Sequence, residues 1–551
     1  MNGGEIIVKS MEIQGVDRLF CVPGESFLPV LDALQTSSIE TVLARQEGGA
    51  AMMAEADGKL TGRPGIVLVT RGPGATNASA GIHIAQQDST PVIMLVGQVA
   101  RDMRGRDAFQ EVDFVQMFGG MAKHVEEIND VNRMAGAMAD AFRIAMEGRP
   151  GPVILSLPED MLYDEPDGDG ANELPPRVEV TRPHPKADDI EALKTLLDKA
   201  ERPMVIAGGP LWDQEAVMQL ERFAACYNLP VACSFRRQRL MRSTSPYYAG
   251  DLGLGCNPKL LERIKSSDAL ILLGGRLSEI PSQSYQLLEI PKPQLPLIHI
   301  HSDPEELGKV YQPDLAICSA PLAFLNQMLE GQDAPDTTNL PLPEHEAYRQ
   351  WTETMPTPPG DVNMAEIMRH LRETLPDDAI MTNGAGNYAT WLHRYYHFRH
   401  HQSQLAPTSG SMGYGIPAAV AAKARFPERP VLAFAGDGCF QMTMQELATA
   451  RQIGANIIVI VVDNGMYGTI RMHQEINFPG RVRHTDLINP DFCTLGKGMG
   501  FHTEKVNKTM EFDEAFNNCM KSGKPGLIHI TIDPEAISPV KTLSEFRAAN
   551  Q

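Results

Sequence analysis

Asp437 and Asn464 are the residues whose types and spacing speak most directly to chemistry. Each ends a short apolar run: VLAFA leads into Gly436-Asp437-Gly438, and NIIVIVVD leads into Asn464. Twenty-five residues lie between Gly438 and Asn464. A polar residue just after a buried strand faces the strand-end crevice where open α/β sheets bind ligands. A carboxylate and an amide oxygen are hard donors suited to Mg2+ or Ca2+, and Mg2+ completes its shell with phosphate oxygens and water. Gly436 and Gly438 allow close backbone approach. The helical pattern after them, CFQMTMQELATARQIG, is expected to offer free N–H groups and a positive dipole end to a phosphate. A GDG turn alone often only ends a strand. Two such residues at successive strand ends ask for one explanation, a divalent cation beside a phosphorylated ligand.

The elements that must position these residues are legible as short apolar runs. Ile66–Thr70, Val92–Val96, Val153–Leu157, Met204–Ala207, Ala269–Leu273, Pro296–Ile300, Ala379–Thr382, Val431–Ala435, Ile457–Val462 and Leu527–Ile532 are predicted strands. They show little polar alternation, as parallel strands covered on both faces do, and they alternate with helical patterns. The fold class is therefore α/β. Two stretches rich in Pro and polar residues, 164–188 and 331–361, read as linkers. They predict domains over 1–165, 186–332 and 358–551.

Composition bounds the function. The chain has 551 residues, 43% hydrophobic and 21% charged, with a net charge of −20. So negative a surface repels phosphate backbones, which argues against nucleic acid as a partner. The apolar runs fall well short of the roughly 20 residues of a membrane span. MNGGEIIVKS lacks the basic and apolar regions of a signal peptide. Eight cysteines, from Cys21 to Cys519, form no CxxC pair and read as reduced thiols of a cytoplasmic protein.

GDG, twenty-five residues and then Asn resembles the thiamine diphosphate motif of the pyruvate decarboxylase and acetolactate synthase superfamily. That motif often ends Asn-Asn, and here it is Asp463-Asn464, with the family's ligand position retained. The resemblance implies Mg2+ held by Asp437, Asn464 and the main-chain carbonyl of Met466. Ser409-Gly-Ser-Met-Gly-Tyr-Gly-Ile-Pro417 resembles the segment whose large apolar residue keeps the cofactor bent; Met412 takes that position. Gly384-Ala385-Gly386-Asn387 resembles the other diphosphate-contacting loop. Cofactor contacts are likewise implied for Gly436, Gly438, Cys439, Tyr467 and Gly468.

Thiamine diphosphate chemistry needs a carboxyl group beside the aminopyrimidine, and a carboxyl buried in an apolar pocket has the raised pKa that suits proton sharing. Ala44-Arg45-Gln46-Glu47-Gly48-Gly49-Ala50-Ala51 resembles the segment that carries it, at Glu47. On its own, Glu47 would read as an ordinary first-turn glutamate favoured by the helix dipole. Thr70–Asn77 resembles the TSGPGATN stretch of acetolactate synthases, with Arg71 in place of Ser. Gly105–Glu111 and Lys123-His124 resemble their GTDAFQE and KH, which implies that Phe109, Gln110 and Lys123 lie near the substrate, Gln110 among the catalytic groups. Glu25, in VPGES, is either a general acid/base, as in pyruvate decarboxylases, or a polar loop residue.

The middle third carries two strand-then-glycine patterns, Val205–Pro210 and Leu272–Arg276, neither a full dinucleotide fingerprint. In acetolactate synthases the matching domain binds FAD. Ile298–Gly308 resembles their flavin-adenosine segment, while Ser234-Phe-Arg-Arg-Gln-Arg239 replaces a small apolar stretch that lies along the flavin, so FAD stays open. Two further departures touch substrate choice. Ile280 stands where a second arginine grips the acceptor, and His473 stands nearest a lost pocket tryptophan, with Arg471 or His473 as candidate replacements.

The resemblance spans the whole chain. It implies two thiamine-binding parallel-sheet domains around a Rossmann-like middle domain, in a homodimer or homotetramer whose sites lie at subunit interfaces. The activity it implies is a thiamine diphosphate- and Mg2+-dependent lyase or carboligase of acetolactate synthase type, acting on pyruvate. The alternatives are a decarboxylase or 2-hydroxyacyl lyase that releases an aldehyde and, from another class, a non-catalytic binding homologue.

Overall fold

The computed structural model describes residues 1–168, 173–333 and 341–550. Its strands form three six-stranded sheets in which every neighbouring pair is parallel. The first contains β1 (Arg18–Cys21), β2 (Glu40–Leu43), β3 (Gly65–Val69), β4 (Val92–Gln98), β5 (His124–Glu127) and β6 (Pro152–Pro158). The second contains β7 (Pro203–Ala207), β8 (Val231–Ser234), β9 (Tyr248–Leu252), β10 (Ala269–Leu273), β11 (Leu297–His301) and β12 (Leu315–Cys318). The third contains β13 (Ile380–Asn383), β14 (Gln404–Leu405), β15 (Val431–Gly436), β16 (Ile458–Asp463), β17 (His502–Val506) and β18 (Gly526–Thr531).

The first sheet runs β2-β1-β3-β4-β6-β5 and the third β14-β13-β15-β16-β18-β17. Counted from the start of each sheet, these are the same order. The second runs β12-β11-β10-β7-β8-β9, the order typical of dinucleotide-binding folds, with its reversal between β7 and β10. β3, β4, β6 and β10 are buried along their whole length. Each apolar side chain so enclosed stabilises the fold by about 1.5–3 kcal/mol.

The described chain divides into two compact units. One is Met1–Thr181 with Ile416–Pro427 and Thr443–Ala455; the other is Arg182–Gly415, Glu428–Met442 and Asn456–Gln551. Two helical stretches from the last third thus belong with the first sheet. Arg425 pairs with Asp17 at 2.6 Å and with Asp57 at 2.9 Å. The fully buried Glu446 accepts the Arg45 N–H at 3.2 Å.

All ten predicted strands are present, shifted by a residue or two. Two expectations change. The single helical pattern after Gly438 is two helices, Asp437–Gln441 and Glu446–Gln452, on opposite sides of the division between units. A five-residue helix is too short to supply the dipole expected there. The second linker contains a helix, Pro343–Glu353, which turns His345, Tyr348 and Thr352 inward. Residues 169–172 and 334–340 of the two linkers lie outside the described chain.

Candidate active site

In the third sheet the polar residues sit at the carboxyl ends of the central strands. β15 ends at Gly436, so Asp437 begins the next turn, and β16 ends at Asp463, directly before Asn464. The Asn489 side-chain amide donates to Asp437 Oδ2 at 2.8 Å and to Asp463 Oδ1 at 2.9 Å, tying the two strand ends together. His529, on neighbouring β18, contacts Asp463 Oδ2 at 2.9 Å. Burial pushes the Asp437 carboxyl up to about 6, and the charge of Asp463 adds to the rise. Burial alone would raise Asp463 too, but His529 and the Gly465 N–H hold it below the usual carboxylate range. His529 is resisted by burial yet lifted to about 9 by Asp463, so it is cationic at neutral pH.

Asn464 Oδ1 accepts the Met466 N–H at 3.3 Å, which folds the Asn464–Tyr467 turn back on itself. Met466 bridges to Asp486, and the Tyr467 N–H donates to Thr485 at 2.8 Å. Gly468 then opens the helix Gly468–Asn477. An Asp carboxylate kept uncomfortable by burial, an Asn amide oxygen and a backbone carbonyl suit a small hard cation, whose charge would reverse the burial penalty. Among the described residues no cluster of three or more His, Cys, Asp or Glu is arranged for a metal.

Three segments converge beside this point on the Cys439 thiol. The Gly413 N–H, next to Met412, donates to Cys439 Sγ at 3.1 Å. Tyr388 Oη lies 3.4 Å from the same sulfur and accepts the Gly384 N–H at 3.0 Å. A side chain on Gly384 would come 2.6 Å from Cys439 Sγ and 3.2 Å from the Gly413 nitrogen, so only glycine permits this approach. Thr469 donates to Asn387 Oδ1 at 2.8 Å, linking the Gly384–Asn387 turn to the helix after Asn464. Segments 384–387, 411–413 and 436–439 therefore form one cradle, and 464–469 joins it through Asn387.

In the first sheet the candidates also follow the carboxyl ends of strands. Glu47 opens the helix Glu47–Thr61, whose N-cap Gln46 accepts the Gly49 N–H. Its small residues let the helix Pro73–Asp88 approach closely: a side chain on Gly81 would lie 2.4 Å from Ala51 Cβ. The Asn77 amide donates to Glu47 Oε2 at 3.0 Å. Glu47 is half-buried rather than enclosed as expected. Its negative charge, after burial, helps push the nearby Cys21 thiol up to about 12. Arg71 is buried and holds Glu159 at 2.7 Å and Glu25 at 3.1 Å. Gln110 lies against Gly72 with φ +64°, and Phe109 is 74% exposed.

The structure does not bring Lys123 to this group. Lys123 precedes β5, at the opposite edge of a parallel sheet, and its ammonium donates to the Ile144 and Glu147 carbonyls at 2.7 and 2.6 Å, capping the helix Met134–Met146. Arg471 is also committed, to Thr485 at 2.6 Å and to Asp486, while His473 on the same helix is exposed. Asn489, His529 and Glu446 were not anticipated. Only His529 left a sequence signal, a lone polar ring within the aliphatic LIHIT strand.

The sequence matches three known families in order. Residues 1–117 match "Thiamine pyrophosphate enzyme, N-terminal TPP binding domain", residues 190–328 the central domain and residues 384–530 the C-terminal TPP binding domain. The chain is 32% identical over 546 residues to the acetolactate synthase isozyme 2 large subunit of Escherichia coli, covering 97% of this chain and 96% of that one. It is 32% identical to the acetolactate synthase large subunit of Corynebacterium glutamicum, covering 97% and 87%. It is 30% identical to a probable acetolactate synthase large subunit of Methanocaldococcus jannaschii, covering 98% and 93%.

Proposed function

The chain belongs to the thiamine pyrophosphate enzymes, and from that premise we propose a Mg2+-dependent 2-oxo acid carboligase of acetolactate synthase type, with pyruvate as donor. The observation that carries the reading is the convergence of Gly384, Gly413 and Cys439 beside Asp437 and Asn464. When bound, thiamine diphosphate supplies a carbon nucleophile and an electron sink for decarboxylation.

The chain's own residues have separable tasks. Asp437, Asn464 and the Met466 carbonyl would hold Mg2+ and so the diphosphate, with Asn489 aiming Asp437 through Oδ2. Met412, next to Gly413 in the cradle, would shape the apolar wall. Glu47 would carry the activating proton on its carboxylate, steadied by Asn77. Gln110 and Phe109 would face the substrate. Glu25, 3.1 Å from Arg71, is the candidate proton donor of the second reading, aldehyde release. Among the described residues Glu47 and Asp437 belong to different compact units, and Glu47 is half-buried. In the resembling enzymes such halves meet across a subunit interface, which supports a homodimer or a dimer of dimers. Eight unpaired cysteines suit a reducing, cytoplasmic setting. No helix among the described residues is long and apolar enough to cross a membrane.

Two features of the middle sheet speak against FAD. Along 234–239 the side chains of Arg236, Arg237 and Gln238 are buried. At the strand-order reversal the two glycine turns pack on each other, so that a side chain at Gly209 would lie 1.6 Å from the Gly274 carbonyl oxygen. The purified protein is expected to lack a flavin absorbance band.

Circular dichroism and product analysis on apo-protein with Mg2+, titrated with thiamine diphosphate in pyruvate, test the proposal. Saturable binding with CO2 release and acetolactate is expected. Acetaldehyde instead would select the aldehyde-releasing reading. Absence of binding would favour a non-catalytic homologue.

A further inference from the structure

The turn after β8 carries an arginine where nothing in the cofactor chemistry asks for one. Arg236 is 4% exposed and sits at φ +56°, a left-handed conformation that a non-glycine residue holds only when its surroundings enforce it. Its Nη2 donates to the Gly384 carbonyl at 3.1 Å and its Nη1 to the Pro407 carbonyl. Gly384 opens the cradle turn. The Gly384 N–H donates to Tyr388 Oη at 3.0 Å, and that hydroxyl lies 3.4 Å from the Cys439 thiol. Gly384 is thus gripped on both sides, by Arg236 at its carbonyl and by Tyr388 at its N–H. The same sulfur accepts from Gly413, so one line of hydrogen bonds runs from the middle sheet through Gly384 to the Met412 segment.

The neighbours of Arg236 reinforce the grip. Gln238 donates to the His393 carbonyl at 2.6 Å and accepts from Gln404 at 2.8 Å. Burial and then the positive charge of Arg236 push the His393 imidazole down to about 3, so that ring stays neutral and adds no competing cation. The guanidinium charge also reaches Tyr388 and Cys439, lowering both against a larger effect of burial. A buried positive charge behind a turn is electrostatically suited to an anion in front of it.

We propose that Arg236 is a positioning residue of the cofactor site, fixing the Gly384 turn from the middle domain and adding positive charge behind the diphosphate. This rests on the thiamine diphosphate reading above. Arg236→Met keeps much of the volume and removes every donor; Arg236→Lys keeps the charge and loses the fork that spans two carbonyls. The measurement is thiamine diphosphate affinity by intrinsic fluorescence in saturating Mg2+, with the melting temperature of each apo-protein alongside. Arg236→Met is expected to weaken binding by about tenfold or more, and Arg236→Lys by an intermediate factor. Both apo-proteins are expected to melt within a few degrees of the native chain.

Native-like affinity in Arg236→Met overturns the inference. If that variant does not fold, Arg236→Lys decides: intermediate affinity supports the proposal and native affinity overturns it. A lowered melting temperature with unchanged affinity also overturns it, because it marks a merely structural contact. Failure of the native chain itself to bind the cofactor sinks the functional reading, and this inference with it.

Discussion

The first and third sheets share one strand order and place opposite chemistry on the same edge. After the strands of the first come Glu25, Glu47, Arg71 and Gln110, groups that carry protons and charge. After the strands of the third come glycines, one carboxylate and one amide, which leave room for a ligand and offer hard oxygens. The shared order delivers a crevice at the carboxyl ends in both cases. On the function proposed above, what fills the turns decides whether a crevice binds or activates, so the scaffold is common and the function is local.

The sharpest way to break this comparison is to remove one group from each edge. Glu47→Gln is expected to cut turnover by about 10²–10⁴-fold, the usual range for losing a general acid or base, while cofactor affinity changes only a few-fold. Asp437→Ala is expected to weaken Mg2+-dependent cofactor binding beyond the about 10–100-fold typical of losing an outer-sphere metal partner. Cofactor titration and CO2 release on both variants check this. Equal loss of binding in the two would end the division between an activating edge and a binding edge.

How far the sequence reaches differs between the middle and the margins of each sheet. The predicted strands β3, β4, β6, β7, β10, β11, β13, β15, β16 and β18 are buried almost throughout, and enclosure on both faces writes itself as continuous apolar residues. The strands not predicted lie toward sheet edges. β5 reads HVEE with every residue half-exposed, β17 reads HTEKV, and β14 is two residues long. Half-covered strands carry mixed polarity that resembles a loop. The site divides likewise. Asp437, Asn464, Gly384 and Met412 stand in spaced motifs. Asn489, by contrast, acts only because its loop returns to two strand ends, and no local pattern marks it. Lys123 stands in a motif too, yet it precedes β5, and its ammonium is bound to the Ile144 carbonyl.

A finer cut uses glycine. In Gly384→Ala the new methyl would meet Cys439 Sγ at 2.6 Å; in Gly74→Ala it would meet Thr70 Cγ2 at 2.8 Å and Glu47 Oε1 at 3.4 Å. Overpacking costs each variant about 1–3 kcal/mol of stability, so loss of stability alone does not tell them apart. Gly384→Ala is expected to weaken cofactor affinity by about tenfold, and Gly74→Ala to lower turnover a few-fold with affinity near native. Affinity and turnover measured on both variants check the split, and a reversed pattern would exchange the roles of the two edges.

The middle sheet supplies the smallest and most discriminating effect, because its strands carry a perturbed carboxyl while its proposed link to the cofactor site is the Arg236 turn. Asp251, on β9, is half-buried, and its loss of solvent pushes its carboxyl up to about 7 against hydrogen bonds from Gln238 at 3.1 Å and from the backbone at Asp251 and Gly253. An unfolded aspartate titrates near about 3.9, so the folded chain holds this proton more tightly. The stability it contributes is complete below the unfolded value, falls as pH rises toward about 7 and is flat above that. Asp251→Asn keeps an oxygen for Gln238 and removes the titration. Relative to the native chain it is expected to melt higher at about pH 8 than at about pH 5, with turnover near native at both. A melting difference independent of pH would mean that the carboxylate is charged throughout. A large loss of turnover would mean that the middle sheet reaches the chemistry through its strands and not through the Arg236 turn alone, and the contrast among the three sheets would fail at its third member.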